Sequence, residues 1–323
     1  MSLPPEFALI ARHFGPLAGP GALDLSDDAA LLDPPPGRQL VLAADAIVES
    51  VHFLPDDPPE TIGRKLLRVN LSDLAAMGAE PLGYLMTTCF GPRMDEDWIA
   101  RFAAGLLEDQ REFGLSVLGG DTVATPGPAS FSLTILGSVE PGRAIRRKGA
   151  RPGDEVWVSG TIGDGALGLK VLQGTIAADA EGHLADRYRL PRPRLALGRA
   201  VATLVSAGMD VSDGLAQDLG HLCRAAGCGA EVDIAEVPLS PAARSAVSAD
   251  PALMAAIVTG GDDYELLLAV PEGRGEALQV AASSCGMAVT RIGRFVAGRP
   301  EVILRRNDGS ALSMAHEGWS HFR

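Results

Sequence analysis

Aspartates recur in this chain beside glycine and serine, and two sets of them recur in the same order. Asn70-Leu71-Ser72-Asp73-Leu74 is followed by Gly119-Gly120-Asp121, and Asp210-Val211-Ser212-Asp213-Gly214-Leu215 is followed by Gly260-Gly261-Asp262-Asp263. Asp121 lies 48 residues after Asp73, and Asp262 lies 49 after Asp213. Two further acidic sites come earlier, Ser26-Asp27-Asp28 and Ala44-Asp45. Carboxylates at element ends beside glycines suit a hard cation such as magnesium, which takes oxygen ligands and shares them with phosphates. The pattern predicts magnesium-dependent chemistry on phosphate compounds.

The charge balance narrows the partners. The chain of 323 residues carries 28 Lys and Arg against 41 Asp and Glu, a formal net charge of −13. A nucleic-acid partner would require a basic face, so none is expected. The same excess sets a condition on the phosphate reading, because an acidic site repels phosphates unless cations bridge the two. Hydrophobic residues make up 46% of the chain, and its length exceeds what one core usually fills, so two domains are expected. No apolar run is long enough for a bilayer, and the N-terminal residues carry no basic stretch; neither a membrane nor a secretory address is expected. Cys89, Cys223, Cys228 and Cys285 have no zinc-type spacing and read as reduced thiols of a cytoplasmic protein.

Periodicity indicates the elements that must carry these carboxylates. A short helix is predicted over 7–14, and a strand over 38–45 that ends on Asp45. Ile62, Leu66, Val69 and Leu74 share one face of a helix over 59–78, with Asp73 in its last turns and Gly78 as its C-terminal cap. A strand over 82–90 precedes a helix capped by Asp95 that carries Trp98, Phe102, Leu106 and Leu107. Residues 116–118 then run into a Gly119-Gly120-Asp121 turn, and 131–139 alternate as a strand. The turn-rich, basic stretch 140–153 is the expected domain boundary. Beyond it come a strand over 155–159, helices near 166–172, 193–207 and 215–225, and a buried strand over 264–270. Two halves that each carry an Asp loop and a Gly-Gly-Asp turn suggest a duplicated design.

Each motif also has a plain structural reading. Asp27-Asp28 and Asp45 serve equally as caps. Gly119-Gly120-Asp121 reads as a close approach to a ligand or as a simple turn. Gly160-Thr161-Ile162-Gly163-Asp164-Gly165 lies between a strand and a helix, where phosphates are cradled, but it lacks the Gly-Lys-Ser/Thr of a Walker loop, and close packing explains its glycines as well. Arg147, in the basic linker, reads as a solvated charge or as a phosphate fork. His52 reads as a packed imidazole or as a functional one. The five acidic loops taken together favour a cation site.

The same blocks resemble thiamine-monophosphate kinase. They are Asp27-Asp28-Ala29-Ala30-Leu31-Leu32, Asp45 with His52-Phe53-Leu54, Asn70 to Ala79, Gly119-Gly120-Asp121-Thr122, Gly149 to Asp154, Asp210 to Leu215, Gly260 to Leu266 and Gly318-Trp319-Ser320-His321-Phe322. The resemblance covers essentially the whole chain. It implies an α+β protein of two α/β domains of the aminoimidazole ribonucleotide synthetase-like type. Residues 1–140 would form the N-terminal ATP- and magnesium-binding domain, whose sheet forms a homodimer, and residues 141–323 the C-terminal domain. The implied reaction is ATP-dependent phosphorylation of thiamine monophosphate to thiamine diphosphate. By position, Asp28, Asp45, Asp73, Asp121, Asp210 and Asp213 would hold several magnesium ions. Ala43 and Ala44 stand where the family often has hydroxyls, and would reach an ion only through their carbonyls. Gly120, Asp121, Arg147 and Ser212 would contact ATP; His52, Asp262 and Trp319 would line the thiamine phosphate. Asp262 stands where Glu is frequent, and Ser26 where Gly is usual. The alternatives are a non-catalytic ATP and thiamine-phosphate sensor, or another ATP-dependent enzyme of the superfamily.

Overall fold

The computed structural model describes residues 5–306, 308–312 and 318. Packing divides the chain into two units, Met1–Leu74 with Ala79–Pro141, and Ala75–Gly78 with Gly142–Arg323.

The first unit opens with α1 (Pro5–Leu9), which passes into a π-helical turn over Ile10–Phe14. There follow β1 (Gln39–Val48), α2 (Pro59–Ala76), β2 (Glu80–Phe90), α3 (Glu96–Phe113), β3 (Val117–Ala124) and β4 (Ser130–Val139). The four strands pair in the order β1-β4-β2-β3, with β4 antiparallel to both neighbours and β3 parallel to β2. One sheet face is apolar because alternate residues point the same way. From that face Phe90 and Phe131 meet Trp98 and Phe102 of α3, with the Phe102 and Phe131 centroids 4.8 Å apart. Asp95 caps α3 by accepting the Trp98 N–H at 2.9 Å, and Gly114 ends it at φ 72°. Helices α2 and α3 are tied together by Arg68, whose guanidinium forks onto the fully buried Asp109 at 2.6 and 2.9 Å. The opposite sheet face leaves Leu40, Leu42, Leu85 and Val123 exposed.

The second unit contains β5 (Glu155–Ser159), α4 (Asp164–Leu172), α5 (His183–Arg189), α6 (Leu195–Val201), β6 (Ala207–Asp210), α7 (Leu215–Ala226) and β7 (Gly229–Asp233). It continues with α8 (Pro241–Ala249), α9 (Leu253–Thr259), β8 (Leu266–Val270), α10 (Gly275–Ser284), β9 (Val289–Val296) and β10 (Val302–Arg305). Six strands pair in the order β10-β7-β9-β5-β8-β6. Strand β8 is buried along its whole length, as its unbroken apolar run requires. Val156, Val158, Leu215, Leu219, Leu222, Leu267 and Phe295 form part of one core.

Four expectations are corrected. Strand β1 does not end on Asp45 but runs three residues further, because its pairing with β4 continues to Val48 and Ser130. Gly119-Gly120-Asp121 is no turn: it lies inside β3 and pairs with Leu85, Met86 and Thr87. The helix expected over 193–207 is confined to Leu195–Val201, since Ser206 already donates its N–H to the Ala269 carbonyl at the entry to the sheet. The matched spacing of the two motif sets is not matched in local structure. Asp73 is helical and Asp121 is in a strand, whereas Asp213 and Asp262 are in loops.

Gly120 is required by a close approach. Its φ is 155°, and a Cβ there would lie 1.7 Å from the Met86 carbonyl oxygen. Gly120→Ala must push β3 from β2, and thermal or urea unfolding should register a loss of about 2 kcal/mol or more.

Candidate functional site

In the first unit the carboxylates come from different elements and point different ways. Asp73 is half-buried in the last turn of α2, and Asp45 is exposed on β1. These two regions are linked by Asn70, which is fully buried: its Oδ1 accepts the Asp45 N–H at 3.0 Å while its Nδ2 donates to the Leu66 carbonyl at 2.9 Å. Asp28 is exposed in the loop before β1. Asp121 is exposed on β3, and its Oδ1 accepts the Thr122 N–H at 2.9 Å.

Register places Asp45 and Asp121 on opposite faces of the sheet. Asp45 pairs with Leu133, which faces the helices, whereas Asp121 pairs with Thr87, on the face of Leu85. They also sit on the two edge strands, roughly 14 Å apart at three inter-strand spacings. Ala44 is exposed and Ala43 half-buried on the same strand as Asp45.

His52 belongs to a tight turn after β1. Its Nδ1 accepts the Val48 N–H at 3.0 Å, its own N–H returns to the Val48 carbonyl at 2.9 Å, and the buried Lys65 donates to its carbonyl at 2.9 Å. Because a backbone N–H is always a donor, Nδ1 bears no hydrogen and the ring carries its proton on Nε2. Ser50 takes a left-handed φ of 67° to close this turn.

In the second unit Asp210 ends β6, and the loop Val211–Gly214 leads into α7. Asp218, in the first turn of α7, reaches back so that its Oδ2 accepts the N–H groups of Ser212, Asp213 and Gly214 at 3.0, 3.0 and 3.1 Å. Gln217 donates to Asp213 Oδ2 at 2.9 Å. Burial first, then the charges of Asp210 and Asp213, pushes the Asp218 carboxyl up to about 8. Asp213, Asp218 and His221 present ligand atoms within 4.8 Å of one another. The His221 imidazole is shifted down by burial, then by Arg224 and Arg147, so the exposed Arg147 faces this same cluster electrostatically.

The turn Gly260–Tyr264 docks directly on that loop. Asp262 donates its N–H to the Ser212 carbonyl at 2.9 Å, Tyr264 to the Val211 carbonyl at 2.8 Å, and Val211 to the Glu265 carbonyl at 2.8 Å. Asp262 and Tyr264 both adopt left-handed backbone, at φ 69° and 53°. The residue between them anchors the strain: Asp263 is fully buried, and its oxygens accept the N–H groups of Gly163 and Gly165 at 2.8 and 3.2 Å. Burial raises the Asp263 carboxyl well above its ordinary range. Next to it, buried Glu265 is gripped by Arg194, Arg187 and Ser159, whose contacts include 2.6 Å from Arg194 Nε and 3.1 Å from Arg187 Nη2. Among the described residues, Arg187 Nη1 is the buried side-chain atom without a hydrogen-bond partner.

Trp319 lies outside the described residues. Gly318, just before it, packs on this region: a Cβ there would come 2.5 Å from Gln217 Cβ and 2.8 Å from the Asp213 carbonyl oxygen. The open groove of about 790 Å³ between Ile234, Leu239, Met254 and Arg306 carries none of these carboxylates. Sequence reasoning missed Asn70, Asp218, Asp263, Glu265, Arg187 and Arg194 as supports. The signal for Asp218 was its place in the first turn of a helix after a glycine; the arginines gave none, since only the fold buries them.

Two outcomes test this framework. Glu265→Gln leaves Arg187 and Arg194 with an uncompensated buried charge, and urea unfolding should register a loss of about 3–5 kcal/mol. For Asp263, the folded state holds the proton more tightly than the unfolded chain. Its contribution to stability is therefore full below the ordinary carboxylate range and declines as pH rises toward the raised folded value. Asp263→Asn should flatten that decline in unfolding curves collected across the range.

The comparisons with known proteins cover the same architecture. Residues 26–139 match the family model "AIR synthase related protein, N-terminal domain", and residues 151–305 match its C-terminal domain. The thiamine-monophosphate kinase of Caulobacter vibrioides is 44% identical over 98% of this chain and 91% of its own length. The crystal structure of thiamine-monophosphate kinase from Stenotrophomonas maltophilia is 39% identical, covers 89% of this chain and 91% of its own, and superposes with a TM-score of 0.81. The structure of AaThiL complexed with AMPPCP and TMP is 30% identical, covers 98% of this chain and 97% of its own, and gives a TM-score of 0.78. With both domain models matched in order and likeness spanning nearly the full length, the chain belongs to the thiamine-monophosphate kinase family.

Proposed function

We propose that this chain transfers the γ-phosphoryl group of ATP in line to the phosphate of thiamine monophosphate, with magnesium held by Asp28, Asp45, Asp73, Asp121, Asp210 and Asp213. The chain is a thiamine-phosphate kinase, and its products are thiamine diphosphate and ADP. An oxygen of the acceptor phosphate forms a bond to the γ phosphorus. The bond from that phosphorus to the oxygen bridging to the β-phosphate breaks, and ADP leaves. The acceptor is already anionic at neutral pH, so no general base is needed, and the barrier is largely repulsion between two polyanions.

The observation that supports the magnesium reading is the grouping of Asp210, Asp213 and Asp218 about one loop, near enough that the charges of Asp210 and Asp213 add to the larger effect of burial in raising the Asp218 carboxyl. The donors are all oxygen, which suits magnesium. Magnesium, when bound, offsets the negative charge of the phosphates and of these side chains. Gly120, Asp121, Arg147 and Ser212 hold ATP, Arg147 as the phosphate fork. His52 offers its Nε2–H to the thiamine phosphate, beside Asp262 and Trp319. Ala43 and Ala44 offer an ion only their carbonyls.

We read the enzyme as a homodimer. Support comes from the outer face of the four-stranded sheet, where Leu40, Leu42, Leu85 and Val123 are 43%, 62%, 42% and 44% exposed. A cluster of this kind marks an interaction surface. The opposite placement of Asp45 and Asp121 agrees, because one ion shared by both residue types would need a second copy of the chain. Buried Cys223 and Cys228, unpaired as thiols, fit action in the cytoplasm.

The test is formation of ADP and thiamine diphosphate from ATP plus thiamine monophosphate, with and without magnesium. Equal amounts of both products, formed only with magnesium, are expected. Asp73→Asn should lower kcat about 100-fold at saturating magnesium. ATP binding without thiamine diphosphate would instead favour a sensor.

A further inference from the structure

The loop Ser212–Gly214 turns three consecutive N–H groups toward one point. Such a nest ordinarily receives an external anion. Here it is filled from within by Oδ2 of Asp218, at 3.0, 3.0 and 3.1 Å, and Asp218 is 1% exposed. These amides are therefore spent, and a phosphate must be met by other groups of the loop. Gly214 closes the loop at φ 120°, where a Cβ would come 2.8 Å from the Thr259 carbonyl.

The other side of the loop is equally committed. The Ser212 and Val211 carbonyls accept the N–H groups of Asp262 and Tyr264 at 2.9 and 2.8 Å. Amides on one side and carbonyls on the other make this loop a rigid link between α7 and the Gly260–Tyr264 turn. Removing the Asp218 oxygen would free three amides at once, and the displacement would pass through the Ser212 carbonyl to Asp262.

We propose that Asp218 is a positioning residue for phosphoryl transfer: through the amides of Ser212, Asp213 and Gly214 it holds Ser212 for the nucleotide, Asp213 for magnesium and, by way of the Ser212 carbonyl, Asp262 for the acceptor. The inference rests on the roles assigned to those three residues above. Asp218 itself contacts neither ATP nor thiamine monophosphate. It acts by holding geometry, and a displacement of about 1 Å in such a frame costs on the order of 100-fold in rate.

The experiment compares wild type, Asp218→Ala and Asp218→Asn by steady-state kinetics over ATP, thiamine monophosphate and magnesium, with melting curves alongside. Asp218→Ala should stay folded, lose roughly 100-fold in kcat, and need about tenfold more magnesium for half-maximal rate. Asp218→Asn keeps an oxygen acceptor of the same reach and should recover kcat to within about fivefold of wild type. Amide hydrogen exchange at residues 212–214 should be slow in wild type and in Asp218→Asn, and fast in Asp218→Ala. If Asp218→Ala does not fold, Asp218→Glu replaces it. That side chain keeps the carboxyl group but displaces its oxygen by a methylene, and should lower kcat about tenfold with native circular dichroism. A folded Ala or Glu variant with wild-type kcat and magnesium response would overturn the proposal, as would a lowered melting temperature alone. Failure of the wild-type chain to make thiamine diphosphate would instead count against the kinase reading, whatever Asp218 does.

Discussion

Buried carboxylates that accept backbone N–H groups are the constraint on which the second unit depends. Asp218 gathers the loop after β6, and Asp263 gathers the glycine-rich turn after β5. A carboxylate taken out of water is costly unless hydrogen bonds replace its hydration. Here the replacing donors are main-chain amides, so the cost of burying each acid is offset by fixing a loop. The left-handed residues Asp262 and Tyr264 persist because the bonds on either side over-determine the turn between them.

Charge organises the rest. Glu265 is buried against two arginines, whereas Asp210, Asp213 and Asp218 are buried or half-buried against one another. The first arrangement is balanced and structural. In the second, burial and then the charges of Asp210 and Asp213 raise the Asp218 carboxyl. The same distinction separates Asp109, gripped by Arg68 between two helices, from the exposed Asp28, Asp45 and Asp121. Carboxylates gripped by arginine inside the protein hold the fold together.

Much of the architecture was legible in the chain. Periodicity located α2, α3, α7 and β5 closely, because each has an amphipathic or unbroken apolar pattern with a clear stop such as Gly78, Gly114 or Gly227. It misread Gly119-Gly120-Asp121, since paired glycines signal a turn locally, whereas the fold uses Gly120 to let β3 pass against the Met86 carbonyl. The parallel spacing of the two acidic sets suggested equivalent structures. A spacing records distance along the chain but not the hydrogen-bond partners that decide between helix, strand and loop.

By itself, then, the amino-acid sequence determined the family, the two-domain α+β class and the set of acidic positions, since these depend on residue type and order. Tertiary structure decided which acids become buried supports. Asp213 and Asp218 are five residues apart and chemically identical, yet one is half-exposed and the other is enclosed by three amides. Likewise, Arg187 and Arg194 become partners of Glu265 only when α5 and the entry to α6 meet the start of β8. Burial and partnership arise from groups far apart in the chain, and those are settled only when the chain has packed.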